Sequence, residues 1–220
     1  MDLAHPAERQ VAEALSRLEA KGLAGAPSDT FSARMPGWAA MAVASLGAKP
    51  TGVRIVALGE SSPDEPVVAL HAAAYRVRGD AGALLTARLP WASRLAQLPG
   101  PMPAVFDEQA RQLGARVEPV ATKGSQLDEA GTGVLARGAN AFLLGTEVLA
   151  IGVTPERAVL NAELLEKCAK AYVLARLTGG RVREIPWLVR YVATGRLRKD
   201  QRHAAEAFAR GEMPGRFSTY

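Results

Sequence analysis

Apolar residues recur every three or four positions in several stretches of the chain, and this spacing places them on one face of an α-helix. The first stretch begins at Pro6 and ends before Gly22, which fits the preference for proline in the first turn of a helix and glycine beyond the last. The longest stretch follows Thr154, a helix-capping residue type, and reaches the glycine pair at 179–180. The pattern predicts further helices over residues 66–77, 90–98, 185–193 and 198–209.

Short apolar runs between turn residues predict strands. Pro36-Gly37 separates the first two runs, and Gly145-Thr146-Glu147 separates the last two, so each of these pairs is expected to lie side by side. The proline-rich residues 99–103 are expected to form a surface connection and not a boundary between domains. The predicted strands cover residues 31–35, 40–45, 53–58, 83–87, 116–120, 139–144 and 148–151.

Composition and length indicate a globular protein. Of the 220 residues, 48% are hydrophobic and 22% are charged, which is typical of a chain with a packed core. The single cysteine, Cys168, cannot form a disulfide within the chain, so a reducing compartment is expected. The first residues lack a basic stretch followed by an apolar one, so no signal peptide is expected, and no apolar run approaches the ~20 residues that span a bilayer. We therefore expect a cytoplasmic protein with no membrane partner.

Positive charge is concentrated near one end of the chain. The net charge is +5, and residues 176–220 alone contain ten basic and four acidic residues. Such an excess can mark a surface for nucleic acid or another acidic partner. The basic residues are interspersed with apolar ones, however, and the aromatic and basic motif of an RNA-binding sheet is missing. A solvated helical extension is the favoured interpretation, and nucleic-acid binding is not expected.

Few residues offer catalytic or metal-binding chemistry. The three histidines, His5, His71 and His203, are far apart in sequence and form no paired motif. No serine lies in a Gly-x-Ser-x-Gly context, and no glycine-rich segment has the spacing of a nucleotide-binding loop. Cys168 falls near the apolar face of the long helix, where a buried and unreactive thiol is expected.

Three segments form a recognisable series along the chain. Lys21-Gly22-Leu23 precedes Phe31-Ser32-Ala33-Arg34, residues 70–76 contain a His-x-x-x-Tyr-Arg motif, and residues 141–170 combine a strand pair with the long helix. In this order they resemble the opening, the catalytic helix and the last strand pair and long helix of the class II aldolase/adducin family, including its fuculose-phosphate aldolases. The resemblance runs over most of residues 7–178. It implies an α/β fold with a central, mostly antiparallel sheet flanked by helices on both faces.

Enzymes of that family use a divalent metal, held by three histidines, to stabilise an enediolate, and a glutamate serves as acid and base. The resemblance places the three histidine positions on Thr86, Arg88 and Thr146, and the glutamate on Val67. Hydroxyl and guanidinium groups do not replace imidazole ligands. The sequence therefore predicts a divergent member that has lost the metal ligands and holds no cofactor, with its catalytic residues unknown.

The family's phosphate-binding segment is also altered. Its Gly-Asn pair falls on Asp29 and Thr30, which puts a negative charge where a phosphate would lie. Ser32, Arg34 and Gly47 remain as candidates in that segment. The complete set of ligand-pocket candidates is Thr30, Ser32, Arg34, Gly47, His71, Tyr75, Thr86, Arg88 and Thr146.

Two residues of this set have competing interpretations. His71 is expected to be a hydrogen-bonded core histidine, because no carboxylate lies four residues away to support a catalytic role. Arg88 would place a fixed cation where the family holds its metal, and with Thr86 and Thr146 it could bind an anionic small molecule. An ion pair between Arg88 and Glu147 is an equally acceptable alternative.

These expectations give a class II aldolase-like domain over residues 1–180, with a basic helical extension over residues 181–220 packed on it. The favoured function is a small-molecule-binding or assembly module without metal-dependent aldolase activity. The alternative is a sugar-phosphate aldolase or epimerase-type lyase, acting on a small carbohydrate or hydroxy acid through a relocated or metal-free site. Whether the protein is an enzyme stays open. The resemblance also implies a homo-oligomer, with the tetramer as the family's common form.

Overall fold

The computed structural model describes residues 6–46, 52–59, 65–123 and 126–215. No helix in these residues is long and apolar enough to cross a membrane. The helices are α1 Pro6–Ala20, α2 Pro66–Val77, α3 Asp107–Gln112, α4 Glu129–Ala136, α5 Pro155–Leu177 and α6 Trp187–Ala209, with a 3-10 helix over Ala92–Gln97. The strands are β1 Thr30–Met35, β2 Ala40–Ser45, β3 Arg54–Ala57, β4 Ala83–Ala87, β5 Met102–Pro103, β6 Arg116–Pro119, β7 Thr122–Lys123, β8 Gln126–Leu127, β9 Ala141–Leu144 and β10 Glu147–Gly152.

Eight strands form the main sheet, in the order β3-β2-β1-β4-β10-β9-β6-β5, and β7 pairs with β8 separately. All neighbours in the main sheet are antiparallel except β6 and β9. The fold class predicted from the sequence is therefore confirmed. Because β1, β4 and β10 lie side by side at the centre, residues that are far apart in sequence meet at the ends of these strands.

Helices cover both faces of the sheet. α1 and α5 pack on the face that carries Phe31, and α2 and α4 pack on the other face, where Tyr75 belongs to the apolar cluster. Since side chains alternate along a strand, Ser32 points to the opposite side from Phe31. This polar residue of a central strand therefore faces α2, the helix that carries His71.

The long helix α5 has the start and the buried face that its sequence indicates. The Thr154 side chain accepts a hydrogen bond from the Arg157 backbone N–H at 3.3 Å, and Pro155 occupies the first turn. Cys168 is buried, and burial raises the pKa of its thiol to about 12, so the expectation of an unreactive thiol is supported. The predicted stripe is confirmed, since all its members are buried: Ala158, Ala162, Leu165, Ala169 and Tyr172.

Several short elements are not predicted by the sequence. α3, α4, β7 and β8 are too short for a periodic pattern to be recognised. The prediction that residues 99–103 are only a connection is wrong, because Met102–Pro103 forms β5 at the edge of the sheet. Met102 is buried there, and proline is tolerated because an edge strand needs hydrogen bonds on one side only.

The prediction of two C-terminal helices is also wrong, because α6 is one continuous helix of 23 residues. Gly195, which lies between the two predicted segments, has open space around its Cα and an ordinary φ. A helix tolerates an isolated glycine, and uninterrupted packing against α3 outweighs the weak local preference. The buried stripe runs through both predicted segments: Ala193, Leu197, Gln201, Ala204 and Ala207.

Replacement of Gly195 by alanine tests the continuity of α6. Gly195→Ala is expected to raise the free energy of unfolding by about 0.5–1 kcal/mol, because alanine is favoured over glycine in an exposed helix interior. Gly22→Ala is the matched control: Gly22 has φ +65°, which strains any side chain, so this variant is expected to lose about 1 kcal/mol or more. Urea unfolding at fixed protein concentration measures both. A break in the helix at residue 195 would make Gly195→Ala neutral or destabilising.

Candidate functional site

The central strands and α2 enclose a chain of four hydrogen-bonded side chains. Ser32 Oγ lies 2.8 Å from His71 Nδ1 and 3.1 Å from the Tyr75 hydroxyl. On the other side of the imidazole, His71 Nε2 lies 2.9 Å from Thr86 Oγ1. His71 and Tyr75 stand one turn apart on α2, while Ser32 and Thr86 come from the adjacent strands β1 and β4. Both nitrogens of the imidazole therefore have a partner.

Burial keeps this network neutral. His71 and Ser32 are fully buried, and Thr86 and Tyr75 are nearly so. Burial lowers the pKa of His71 to about 3 and raises the pKa of the Tyr75 hydroxyl above its ordinary value. A neutral imidazole has one donor and one acceptor nitrogen, which two hydroxyl groups can match. The prediction of a hydrogen-bonded core histidine is confirmed.

Arg34 is anchored within the protein. Its Nε donates to the Ala81 carbonyl at 2.7 Å, and its Nη2 donates to the carbonyls of Tyr75 at 2.8 Å and Arg78 at 3.0 Å. Its guanidinium also lies over the rings of Tyr75 and Phe208, at 4.9 and 5.3 Å from their centroids. Arg34 therefore ties β1 to the end of α2 and to α6.

Asp29 holds the loop before β1 and the end of β4. Its Oδ2 accepts hydrogen bonds from the backbone N–H groups of Gly25 and Ala26, both at 2.8 Å, and its Oδ1 accepts one from Arg88 N at 3.0 Å. The residue is buried. Three backbone N–H groups donate hydrogen bonds to this carboxylate, so its negative charge stabilises the conformation of the local backbone.

Thr30 is also engaged locally. Its hydroxyl donates to the Ser28 carbonyl at 3.0 Å and lies 2.8 Å from Ser45 Oγ, whose hydroxyl must then be the donor. Thr30 is buried at the start of β1. The remaining candidate from this segment, Gly47, lies outside the described residues.

Arg88 and Thr146 are the two described candidates that are exposed to solvent. β4 ends at Ala87, which pairs with Val148 of β10, so Arg88 follows at the end of the sheet where Thr146 turns between β9 and β10. Among the described residues, the Arg88 guanidinium has no hydrogen-bonding or ion-pairing partner. The ion pair with Glu147, which the sequence left open, is not formed.

The three positions that the resemblance assigns to metal ligands do not fit a divalent cation. Thr86 Oγ1 is hydrogen-bonded to His71, Arg88 carries a positive charge, and Thr146 offers one hydroxyl. Metal sites of this kind use imidazole, thiolate or carboxylate ligands. Within the part of the chain that the structure describes, no three such residues converge on one point. By charge and donor type, this end of the sheet suits an anion.

Sequence comparison assigns the chain to a family. The family model of the Class II Aldolase and Adducin N-terminal domain matches residues 9–173, which is most of the chain. The chain therefore belongs to this family, and the resemblance recognised in the three sequence segments is confirmed. Among curated proteins, none matches this chain significantly.

Solved structures show the same fold. An L-fuculose 1-phosphate aldolase superposes with a TM-score of 0.73 at 20% sequence identity, covering 89% of this chain and 97% of that one. The l-fuculose-1-phosphate aldolase from Thermus thermophilus has a TM-score of 0.61 at 25% identity, with 81% and 98% covered. An aldolase II superfamily protein from Pseudomonas syringae has a TM-score of 0.66 at 16% identity and 97% coverage of each chain.

Sequence reasoning does not identify a second buried polar network, which joins the end of α2 to α6. Arg78 donates to the two carboxylate oxygens of Asp80, at 2.8 and 2.7 Å, and to Asn140 Oδ1 at 2.9 Å. Gln201 of α6 donates to the same amide oxygen at 3.1 Å and to the Gly138 carbonyl at 2.7 Å. Only the Arg-x-Asp spacing is visible in the sequence, because the other partners come from distant segments. The network is structural and holds α6 beside β9.

The buried imidazole gives the protein a defined pH dependence of stability. Its folded pKa of about 3 lies below the ordinary 6.5, so the unfolded state binds the proton more tightly. The contribution of His71 is therefore complete above about pH 6.5 and is lost as the pH falls toward 3, by about 1.4 kcal/mol per pH unit. His71→Gln removes this titration, while His5 and His203 remain in both proteins. Urea unfolding measures the free energy of unfolding of the parent and His71→Gln proteins from neutral to acidic pH, and the two values are expected to converge as the pH falls. A difference that stays constant with pH would contradict the assignment.

Proposed function

We propose that this protein uses the class II aldolase fold to bind an anionic small molecule, without metal-dependent aldolase chemistry. The observation that carries the proposal is the exposed guanidinium of Arg88, unpartnered among the described residues, at a position that the family resemblance assigns to a metal ligand. Guanidinium groups donate two parallel hydrogen bonds to a phosphate or a carboxylate. Phosphorylated sugars and hydroxy acids are therefore the classes of ligand proposed for this site.

The surroundings of Arg88 support an anionic ligand. The Asp29 carboxylate accepts three backbone N–H groups, one of them from Arg88 itself, so its charge is compensated locally. Thr146 supplies an exposed hydroxyl in the adjoining turn. Thr86 is buried and hydrogen-bonded to His71, so we assign it no ligand contact. Arg88 and Thr146 are the proposed ligand-binding pair.

An enzyme of the lyase or epimerase type is the second candidate function. It is favoured by the L-fuculose 1-phosphate aldolases among the structural neighbours. Against it, His71 and Tyr75 are neutral and buried, so neither can exchange a proton with a ligand in this arrangement. We therefore assign no catalytic step to this chain.

Assembly is a further part of the proposal. Class II aldolases are often oligomers, and we expect this chain to form a homo-oligomer, with a tetramer as the first arrangement to consider. A cytoplasmic location is the accompanying expectation, based on the single cysteine. In the assembly-module form of the proposal, the oligomer itself is the functional unit and Arg88 contributes an anion site to it.

Calorimetric titration with dihydroxyacetone phosphate, and with uncharged dihydroxyacetone for comparison, tests the anion site. The phosphorylated compound is expected to bind, and Arg88→Ala is expected to weaken it at least about tenfold, because a charge-assisted hydrogen bond contributes about 1.5–3 kcal/mol. Arg94→Ala is the matched control, since Arg94 is exposed nearby in the chain but stacks on Trp91 at 5.3 Å. It should bind as the parent protein does.

Two results would overturn the anion proposal. One is equal affinity of the parent and Arg88→Ala proteins for the phosphorylated compound, and the other is equal binding of the charged and uncharged compounds. Turnover of an aldol substrate by the parent protein would favour the enzyme alternative instead. A protein that binds neither compound but stays oligomeric would leave only the assembly role.

A further inference from the structure

The outward face of α6 changes in character along its length. Its first turns expose large apolar side chains, with Trp187 70% and Tyr191 68% exposed beside Leu188 and Val192. Its following turns expose the cations Arg196, Arg198, Lys199 and Arg202. A contiguous exposed apolar patch bordered by charged residues is typical of an interaction surface.

Helical spacing puts aromatic and cationic side chains on the same side of this ridge. Tyr191 follows Trp187 by four residues, Arg198 follows Tyr191 by seven, and Arg202 follows Arg198 by four, all close to whole turns. The buried stripe that begins at Ala193 lies on the opposite side and packs toward α3. The row is therefore directed away from the domain, where a broad surface can reach all four residues at once.

Positive charge extends beyond the helix. Arg176, Arg181 and Arg183 precede it, are exposed, and have no ion-pair partner among the residues that the structure describes. The four cations of α6 named above are likewise unpaired within that part of the chain. Residues 176–202 contain two acidic residues: Glu184 pairs with Arg190 and Arg116, and Asp200 pairs with Arg111. The segment from residue 176 to residue 202 therefore presents a net positive field to a partner.

Negative charge borders the ridge in two places: Glu206 is exposed one turn after Arg202 at the end of the row, and two carboxylates of α3 lie on one flank. Asp107 and Glu108 of α3 lie across a groove of about 690 Å³ that Leu188 and Val192 also line. Leu188 and Val192 each follow a residue of the row by one position, so the groove adjoins the row about a quarter of a turn around the helix. A partner that approaches the row meets aromatic and cationic groups first, and the two carboxylates only at its edge.

We propose that the outward face of α6, residues 187–202, docks on an anionic lipid surface. Indole and phenol rings prefer the boundary between headgroups and hydrocarbon, which suits Trp187 and Tyr191. Arginine and lysine pair with headgroup phosphates in the same layer. The helix lies along the surface, so no membrane-spanning segment is needed. This proposal departs from the sequence-based expectation of no membrane partner, and it rests on the exposure of α6 in the folded chain.

Charge disfavours pairing of α6 with α6 of a second copy, and side-chain type disfavours nucleic acid. If α6 paired with α6 of a second copy in antiparallel fashion, the cations before the helix of one copy would meet those at its middle in the other, and like charges repel. Nucleic acid would pair with the arginines, and its bases could stack on Trp187 and Tyr191. It would give no apolar partner to Leu188 and Val192, whereas a lipid surface accommodates all of these groups.

Flotation with vesicles tests the proposal on the full chain. Binding is expected to vesicles of phosphatidylcholine with phosphatidylglycerol, to be absent with phosphatidylcholine alone, and to fall as salt rises, because salt screens exposed charges. Trp187 emission should shift to the blue on the anionic vesicles, and this shift should be lost in Trp187→Phe while Trp38 and Trp91 remain. Loss of the blue shift in Trp187→Phe would show that the Trp187 side chain is the one that enters the lipid surface.

Matched variants distinguish vesicle binding through α6 from non-specific adsorption of the protein. Arg198→Glu with Arg202→Glu should weaken vesicle binding by at least tenfold, since each cation near an anionic surface contributes about a fivefold gain in affinity. Trp187→Ser with Tyr191→Ser should do the same. Arg9→Glu and Trp38→Ser, which change an exposed cation and an exposed indole elsewhere, should bind as the parent does.

Several outcomes would overturn the proposal. These are equal binding to neutral and anionic vesicles, no binding to either, or control variants that lose as much as the α6 variants. A dimer in size-exclusion chromatography that dissociates on Trp187→Ser with Tyr191→Ser would assign the face to a second copy. Salt-sensitive binding of single-stranded RNA without vesicle binding would assign it to nucleic acid.

Discussion

The hydrogen bond between Thr86 Oγ1 and His71 Nε2, 2.9 Å long and buried, joins two polar side chains at the centre of the fold. Thr86 occupies a strand position that the family resemblance assigns to a metal ligand, and its hydroxyl is engaged with Nε2 of His71. The first nitrogen is engaged by Ser32. An imidazole with both nitrogens satisfied and its pKa lowered to about 3 by burial contributes packing and hydrogen bonding to the core.

Asp29 and Arg88 form the end of the sheet next to this buried network. Asp29 receives the backbone N–H of Arg88 and so fixes the point where β4 leaves the sheet. The guanidinium of Arg88 is thereby held at the surface beside the turn that carries Thr146. Arg34, in contrast, is used for carbonyl contacts and ring stacking, which connect β1 to α6. Two arginines that the sequence groups in one candidate pocket therefore have different surroundings, Arg34 being engaged within the domain and Arg88 being exposed.

The sequence indicates most of the fold but less of the site. Helix periods, the Thr154 cap and the turn glycines predict α1, α2, α5 and the central strands, because each has a long apolar pattern or a clear boundary signal. α6 is predicted as two helices, since Gly195 carries a helix-breaking preference that packing against α3 overrides. The contacts among Ser32, His71 and Thr86 depend on register between β1 and β4. The hydrogen bond between Arg78 and Asn140 depends on tertiary packing of distant segments. A single sequence reveals neither the strand register nor this packing.

Metal analysis tests directly whether the positions that the family resemblance assigns to metal ligands, Thr86, Arg88 and Thr146, hold a divalent ion. Protein purified without chelator, incubated with zinc, nickel or manganese and passed through a desalting column, can be assayed by inductively coupled plasma mass spectrometry. We predict well below one equivalent of each ion per chain, unchanged in a Thr146→Ala variant. One equivalent of an ion per chain, lost in that variant, would contradict the prediction.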